Sequence, residues 1–598
     1  MCGIAGFFCT RENYVPDMEV QQDVLDSLKN RGPDGAGIWK QSGNKVLLLH
    51  RRLSIQDLSE TGAQPMHSDD GSLVIVFNGE IYNVDELRKW VPTYTFKGTS
   101  DTEVILALYQ KYGRQMLDFL RGMFALAIWD ERNQGLFLAR DPYGIKPLYL
   151  AETPDGVWFS SQVKSLLTVP RIDLSPEPAG HTGFFLWGSI PEPYTLYKGI
   201  RSLRSGHSLW LQKGSQPKYS QFSSIAKCLA ESSLLPDGES AAARLQGALY
   251  ESVKAHFVSD VPVGIFLSAG LDSSTILGIA ASKFRPEGLT ALTLGFDAYK
   301  NTPNDETVEA AQIAEYYGVQ QQIRMVHGVD FETESTRFLQ AMDQPSIDGA
   351  NTYFVAKMAR EAGFKVALSG IGGDELFGGY GSFRRIPQMM KVVNVLGLSR
   401  RFGGIIRRYS ENLLTKVTSP KYAGVLEYGG TIDGAYLLRR GLFMPWELPD
   451  VLDADLAAAG LAELEQSQLE IDELKIVKEF PLHLQICFLE STRYMRNQLL
   501  RDADWAGMAH SLEIRTPLVD KFLLRQIAPL IRSNRAPTKL EMAGTPTRSL
   551  PVAILNRKKT GFGVPIREWI SESITGKPER GLRSWAKFIY KNQWPGAQ

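Results

Sequence analysis

Two domains of unlike construction, α+β in the first third and α/β beyond it, are the fold class this sequence predicts. Three observations carry that reading. At 598 residues the chain exceeds what one hydrophobic core supports and should divide into two to four domains. In the first third, Leu73–Phe77 reads as a strand, and Arg121–Asp130 and Gly135–Asp141 read as antiparallel partners joined by Glu131–Gln134. From about Ala241, apolar strand-like runs alternate with helix-like segments, the pattern of a doubly wound parallel sheet. The boundaries expected are 1–210, a polar and turn-rich linker 211–240, and 241–598.

Bulk properties narrow the function classes. Hydrophobic residues make up 43% and charged residues 22% of the chain, ordinary for a soluble globular protein. The 66 Lys and Arg cancel the 66 Asp and Glu, so no general electrostatic hold on nucleic acid or on an anionic membrane is expected. The balance is local. From Ile531 to Gln598 there are thirteen Lys and Arg against four Asp and Glu, a source of cations for a polyphosphate. Four widely spaced cysteines without a C-x-x-C suggest neither a disulfide framework nor a zinc site. With no signal-like or membrane-length apolar run, a cytoplasmic protein is expected.

The N-terminal run Met1-Cys2-Gly3-Ile4-Ala5-Gly6-Phe7 sets a cysteine directly after the initiator. Removal of Met1 would give Cys2 a free α-amino group, with an ordinary pKa of roughly 8, so one residue would hold both nucleophile and base. Arg31-Gly32-Pro33-Asp34-Gly35 is a charged turn, and His50-Arg51-Arg52 supplies guanidinium groups suited to a carboxylate. The strand Leu73–Phe77 runs into Asn78-Gly79-Glu80, whose side-chain amide and glycine N–H are donor types that an oxyanion hole requires. Ser100-Asp101-Thr102-Glu103 opens a helix as a capping box, and the carboxylate of Asp101 is also suited to an ammonium.

These motifs resemble the glutaminase domain of the class II glutamine amidotransferases, an αββα Ntn-hydrolase sandwich. The resemblance implies that Cys2 attacks the side-chain amide of glutamine while Asn78 and Gly79 hold the oxyanion. Arg52 would bind the glutamine carboxylate and Glu80 and Asp101 its amino group, with Asn78 also among the glutamine-binding residues. Asp141-Pro142-Tyr143-Gly144-Ile145-Lys146 and Phe159-Ser160-Ser161-Gln162 resemble the same family. Pro142 stands where Arg is usual and Gln162 where Glu is usual, departures that bear on the contact between the domains or the lining of an ammonia route.

In the second domain, Val261–Leu267 reads as a buried parallel strand, ending in Ser268-Ala269-Gly270-Leu271-Asp272-Ser273-Ser274 and opening into a helix. Free backbone N–H groups and the helix dipole then point at one spot, which suits a phosphate. Leu289–Phe296 reads as the next strand and Val308–Tyr317 as a helix. Lys365–Leu368 is another strand, followed by Ser369-Gly370-Ile371-Gly372-Gly373-Asp374-Glu375. Ligands in such sheets sit beyond the carboxyl ends of strands. Two carboxylates near phosphates suit Mg²⁺, and Asp272 and Asp374 are the candidates.

Ser268–Ser273 is similar to the S-G-G-x-D-S pyrophosphate loop of ATP-dependent adenylating synthetases, with Ala269 at the middle glycine. Together with Leu499–Asp504, Met508–Asp520 and Arg557–Pro565, the second half resembles the PP-loop synthetase domain of glutamine-dependent asparagine synthetases, with a helical C-terminal extension. The resemblance implies ATP and Mg²⁺ as cofactors, with Leu267, Ser268, Gly270, Asp272, Ser273, Ser369 and Gly370 at the nucleotide and Mg²⁺ on Asp272 and Asp374. Lys559 would stabilise charge at the α-phosphate and in amide formation. The partners implied are glutamine, ATP and a carboxylate acceptor, aspartate or a larger acid, with a homodimer among the assemblies expected. Ile371 departs from the family, which ordinarily has glutamate there as a base. Isoleucine cannot transfer a proton, so Glu375 or water takes that role or the acceptor pocket is reshaped, for a sugar uronic acid or a natural-product acid. Gln344 likewise stands where Glu is usual. The rival reading is a glutaminase whose second domain only binds nucleotide.

Overall fold

The structure is a computed structural model. It describes the chain except residues 1, 12–13, 44, 233–239, 398–399, 418, 467, 534–535, 558–562, 566–578, 580, 595 and 597–598; for 400, 411–417 and 468–471 it describes the backbone alone.

The first domain is built on two stacked six-stranded sheets. One has the order Ile200–Ser202, Tyr149–Thr153, Gly156–Ser160, Gly3–Cys9, Val46–Arg52, Gly35–Lys40; the other has the order Lys218–Gln221, His207–Gln212, Gly135–Arg140, Gly122–Asp130, Leu73–Ile81, Met66–His67. Strand side chains alternate between faces, and here both faces are apolar. Ile4, Phe8, Val46 and Leu48 of one sheet meet Val74, Val76, Ala127 and Trp129 of the other in the central layer. The odd-numbered partners Ile75, Phe77 and the alternating Leu126, Ile128 instead face helix Asp101–Tyr112. Phe7, Leu47 and Leu49 face helix Met18–Ser27 on the opposite side. Layers therefore run helix, sheet, sheet, helix, as the resemblance implies.

The expected hairpin is Gly122–Asp130 with Gly135–Arg140, paired from Asp130↔Gly135. Residues 211–240 differ from the featureless stretch their polarity suggests. Lys218–Gln221 adds an edge strand to His207–Gln212, and Ile225–Ala230 is a helix N-capped by Ser224. An edge strand is held by backbone hydrogen bonds and needs no apolar alternation, so its sequence carries little signal.

The second domain has a five-stranded sheet in the order Gln320–Val326, Thr290–Phe296, Val263–Phe266, Val366–Leu368, Glu513–Arg515, and every pair is parallel. Helices cover both faces: Val263, Ile265 and Leu368 pack with Ile276, Leu277 and Ile527, whereas Leu292, Leu294 and Ile514 pack with Phe354, Phe338 and Trp505. The chain order reverses between Val263–Phe266 and Val366–Leu368. That is the topological switch point at which such sheets bind ligands, and the two loops singled out from the sequence leave these adjacent strand ends. All four cysteines are free. Among the described residues no helix is long and apolar enough to cross a membrane.

Candidate functional site

The first cluster gathers at Cys2. Because Gly3–Cys9 is a central strand, Cys2 sits at its buried beginning, 9% exposed. Its backbone N donates to Asn78 Oδ1 at 3.0 Å. Asn78 is wholly buried, and its Nδ2 is a buried donor with no hydrogen-bond partner. Such a group is costly unless something accepts from it. Gly79 must be glycine, since a Cβ there would lie 2.3 Å from the carbonyl of Met123. Burial pushes the Cys2 thiol up, opposed by the Leu53 backbone and by Arg52. Arg52 lies alongside, donating from Nη1 to the Ser59 carbonyl at 2.9 Å and from Nη2 to that of Asp57.

Asp101 heads its helix and accepts from the Ile81 N–H at 3.0 Å, but burial dominates and raises its carboxyl to about 6. Glu80 is drawn elsewhere. It accepts from Gln56 and pairs with Arg515 of the second domain, Nη2 to Oε2 at 2.9 Å. Arg515 is shared with Glu513, its Nε 2.5 Å from Oε1. Burial opposes both charges. The chain's terminal amino group, then Arg515 and Lys146, nevertheless hold Glu513 down to about 2, while Glu80 is left well above the usual carboxylate range. The structure thus brings Cys2, Arg52, Asn78, Gly79 and Asp101 together and places the Glu80 carboxylate at the domain interface.

That interface is charged and buried. Arg31 donates from Nε to the Cys2 carbonyl at 3.2 Å and grips Asp504 with both terminal nitrogens, at 2.7 and 3.0 Å. Beside it is a cavity of about 10 Å³ lined by Arg31, Arg140, Tyr149, Gln162, Asp343 and Asp504, about the room one water-sized molecule needs. Gln162, one of the unusual positions, therefore lies between the domains. Gln344 also faces this boundary, donating to Tyr149 Oη at 2.9 Å.

The second cluster sits at the switch point. Leu267 continues its strand, donating to the Leu292 carbonyl at 2.9 Å. Helix Leu271–Ile279 follows with Gly270 as its N-cap, a residue with no side chain to cap the helix. Within the loop, Ser273 Oγ donates to the Ser268 carbonyl at 3.0 Å, and Gly270 N donates to Ser268 Oγ at 3.2 Å. Ser369 N donates to the Arg515 carbonyl at 2.8 Å, fixing the neighbouring loop. Gly370 and Gly373 lie against Asp272: a Cβ would fall 2.8 Å from its Cβ or 2.1 Å from its Oδ1, respectively.

Asp272 and Asp374 converge, and a residue that motif reading passed over joins them. Lys539 Nζ pairs with both oxygens of Asp272 and lies 2.8 Å from Asp374 Oδ1. Burial alone would depress this lysine, but the two carboxylates hold it above its ordinary value. The sequence does mark Thr538–Glu541 as a capping box starting helix Lys539–Ala543. It carries no sign of what that helix faces. Both carboxylates thus reach one cation position, which fits the one or two protein carboxylates that Mg²⁺ takes. Among the described residues no group of three or more His, Cys, Asp or Glu converges.

Glu375 is fully buried; Tyr380 Oη donates to its Oε1 at 2.8 Å, and its Oε2 lacks a partner. Burial first, and then the charge of Asp374, raise it to about 7. Ile371 packs, half-buried, against both apolar layers of the domain. Lys559 lies outside the described residues.

Comparison with known proteins places both domains in known families. Residues 1–222 match the family model of the glutamine amidotransferase domain, and residues 244–585 match that of asparagine synthase. The chain is similar to glutamine-hydrolyzing asparagine synthetase 1 of Bacillus subtilis, 31% identical over 96% of this chain and 88% of that one. A putative glutamine-hydrolyzing asparagine synthetase of Mycobacterium bovis is 31% identical over 91% of this chain and 83% of its own. Amidase chry2 of Gibberella zeae is 29% identical over 64% of this chain and 60% of its own.

Proposed function

The chain belongs to the asparagine synthetase family, and from that premise we propose that it frees ammonia from glutamine at Cys2 and delivers it to a carboxylate activated by ATP. Residues 1–210 would carry the glutaminase and 241–598 the synthetase, with 211–240 between them. The observation that carries the reading is the Arg31 bridge, in which one buried guanidinium holds both the Cys2 carbonyl and Asp504 of the other domain.

In the first domain the Cys2 sulfur adds to the glutamine side-chain carbonyl carbon once Met1 is removed, its proton passing to the freed α-amine. The oxygen takes the negative charge and accepts from Asn78 Nδ2 and the Gly79 N–H; the orphaned amide of Asn78 supports that assignment. Arg52 binds the glutamine carboxylate and Asp101, ionised, its ammonium. The Glu80 carboxylate is engaged by Arg515, so it shapes this pocket from the interface. Ammonia leaves as the thioester forms, and water then releases glutamate.

In the second domain the acceptor carboxylate attacks the α-phosphate of ATP, and pyrophosphate departs toward the Ser268–Ser273 and Ser369–Gly370 loops. Mg²⁺ on Asp272 and Asp374, when bound, would neutralise charge on the phosphates. Ammonia attacks the acyl-adenylate carbonyl, AMP leaves, and a base takes the surplus proton. Ile371 supplies no acceptor, so we assign that proton to Glu375 or to water; the Glu375 carboxyl near neutrality and its unpartnered Oε2 support the choice of Glu375. The small cavity at Gln162, lined by residues of both domains, lies where an ammonia route kept from water would pass.

By the names of its relatives the first acceptor to test is aspartate. Ile371, standing where the family ordinarily has an acidic residue, motivates a second class to test, larger carboxylic acids such as sugar uronic acids or natural-product acids. Pyrophosphate release with MgATP and glutamine, screened across acids, decides between them: fastest turnover with aspartate removes the second class. Glutamine hydrolysis without pyrophosphate release on any acid would leave the rival of a glutaminase whose second domain only binds nucleotide.

A further inference from the structure

We propose that Lys539 is a built-in counter-cation, standing at the metal position between Asp272 and Asp374 and displaced only when metal and nucleotide arrive together. The proposal rests on the reading of those two aspartates as Mg²⁺ ligands.

Three observations carry it. First, one ammonium satisfies both carboxylates, with Lys539 15% and the aspartates 20% and 18% exposed, so solvent screens the group little. Second, the surrounding backbone is shaped to this arrangement: a Cβ on Gly379 would lie 1.9 Å from Asp374 Oδ1 and 2.6 Å from Lys539 Cε, and one on Gly373 would strike Asp272. Third, the Thr538–Glu541 capping box fixes the backbone from which Lys539 projects, while its four-carbon stem leaves the ammonium free to swing.

The charges then dictate an order of events. Two carboxylates and one ammonium sum to a single negative charge. A divalent ion entering alone must expel the ammonium from the same oxygens, leaving a net positive, partly buried group with no anion to balance it. A divalent ion entering with a triphosphate meets no such penalty, because the released ammonium finds phosphate oxygens in place of the aspartates. Lys539 therefore weakens metal binding in the nucleotide-free enzyme and makes metal and nucleotide uptake cooperative, a reciprocal coupling of the two sites. It is a positioning residue at this stage, holding two like charges at the separation that the metal later needs.

Mn²⁺ binding to the full-length protein, read by electron paramagnetic resonance with and without a non-hydrolysable ATP analogue, tests this. Wild type should bind Mn²⁺ weakly alone and tightly with the analogue. Lys539→Met should tighten nucleotide-free Mn²⁺ binding by about tenfold or more, the scale on which one neighbouring charge acts. It should also make thermal stability rise with added Mn²⁺, while Lys539→Arg behaves as wild type. Lys539→Gln serves the same purpose if the methionine variant does not fold. If wild type shows analogue-dependent Mn²⁺ binding but the neutral variants bind Mn²⁺ alone no better than wild type, the proposal fails and the metal assignment stands. If wild type binds no Mn²⁺ under either condition, the metal assignment itself fails and takes the proposal with it.

Discussion

Around Cys2 the polar groups are sealed: Asn78 is 0% and Asp101 6% exposed, and the charges of the neighbouring interface, Arg31 and Asp504, are 1% and 5% exposed. Around Ser268 the key charges are partly open, and the serine hydroxyls bond only within their own loop. The first pocket is read as receiving glutamine, a zwitterion without net charge, and the Asn78 amide donor waits there unpaired and buried. The second must admit a highly charged nucleotide, so it carries a provisional neutralising partner and stays accessible. The difference teaches that pocket character follows the charge of what enters: burial raises the carboxyls of the first, whereas mutual pairing steadies the second.

Breaking the first pocket alone gives the largest effect. Cys2→Ala should reduce glutamine-driven amidation by on the order of 10⁴-fold or more, while ammonia-driven amidation stays near wild type. Loss of both would show that the two domains do not divide the work. Next, Asn78→Ala should lower glutaminase kcat by about 10²–10³-fold with little change in KM, as an oxyanion donor acts in the transition state; a rise in KM alone would make Asn78 a binding group instead.

Cutting the link between the pockets is expected to be milder. Arg31→Met leaves Asp504 buried with Lys146 4.0 Å away as its remaining cationic partner, which should cost about 3 kcal/mol of stability. The amide formed per glutamine hydrolysed should fall as well. A destabilised enzyme that still couples one to one would restrict Arg31 to a structural part.

The mildest test separates the pockets by pH. The Asp101 carboxyl, near 6, must be ionised to hold an ammonium, so KM for glutamine should rise as pH falls through 6. Glu375, near 7, should impose a limb on kcat with either nitrogen source, once the titration of ammonia is allowed for. Both groups keep protons in the folded state that the unfolded chain has lost, so their contribution to stability is complete below their ordinary pKa values and fades as pH rises through 6 and 7. Asp101→Asn should remove the first limb and leave the second.

Much of this was legible in one dimension. The unbroken apolar runs within Leu73–Phe77 and Arg121–Asp130 specify strands with two apolar faces, because side chains of a strand point alternately to either side. The turns after Leu267 and Leu368 announce a binding edge, because a strand that ends in glycine and serine before a helix exposes N–H groups. The engagement of Glu80 by Arg515, residues 435 positions apart, was not legible. Neither was the placement of Gln344 at the domain boundary.

By itself the sequence determined the main apolar strands of both domains, and which short runs can act as nucleophile, oxyanion donor or phosphate loop. Those properties depend on residues within a few positions of one another. Only the tertiary structure decided that Arg31 ties Cys2 to Asp504 and that Lys539 stands between Asp272 and Asp374. Such pairings are set by how whole layers pack, and a charge in the sequence does not name the partner that folding will bring beside it.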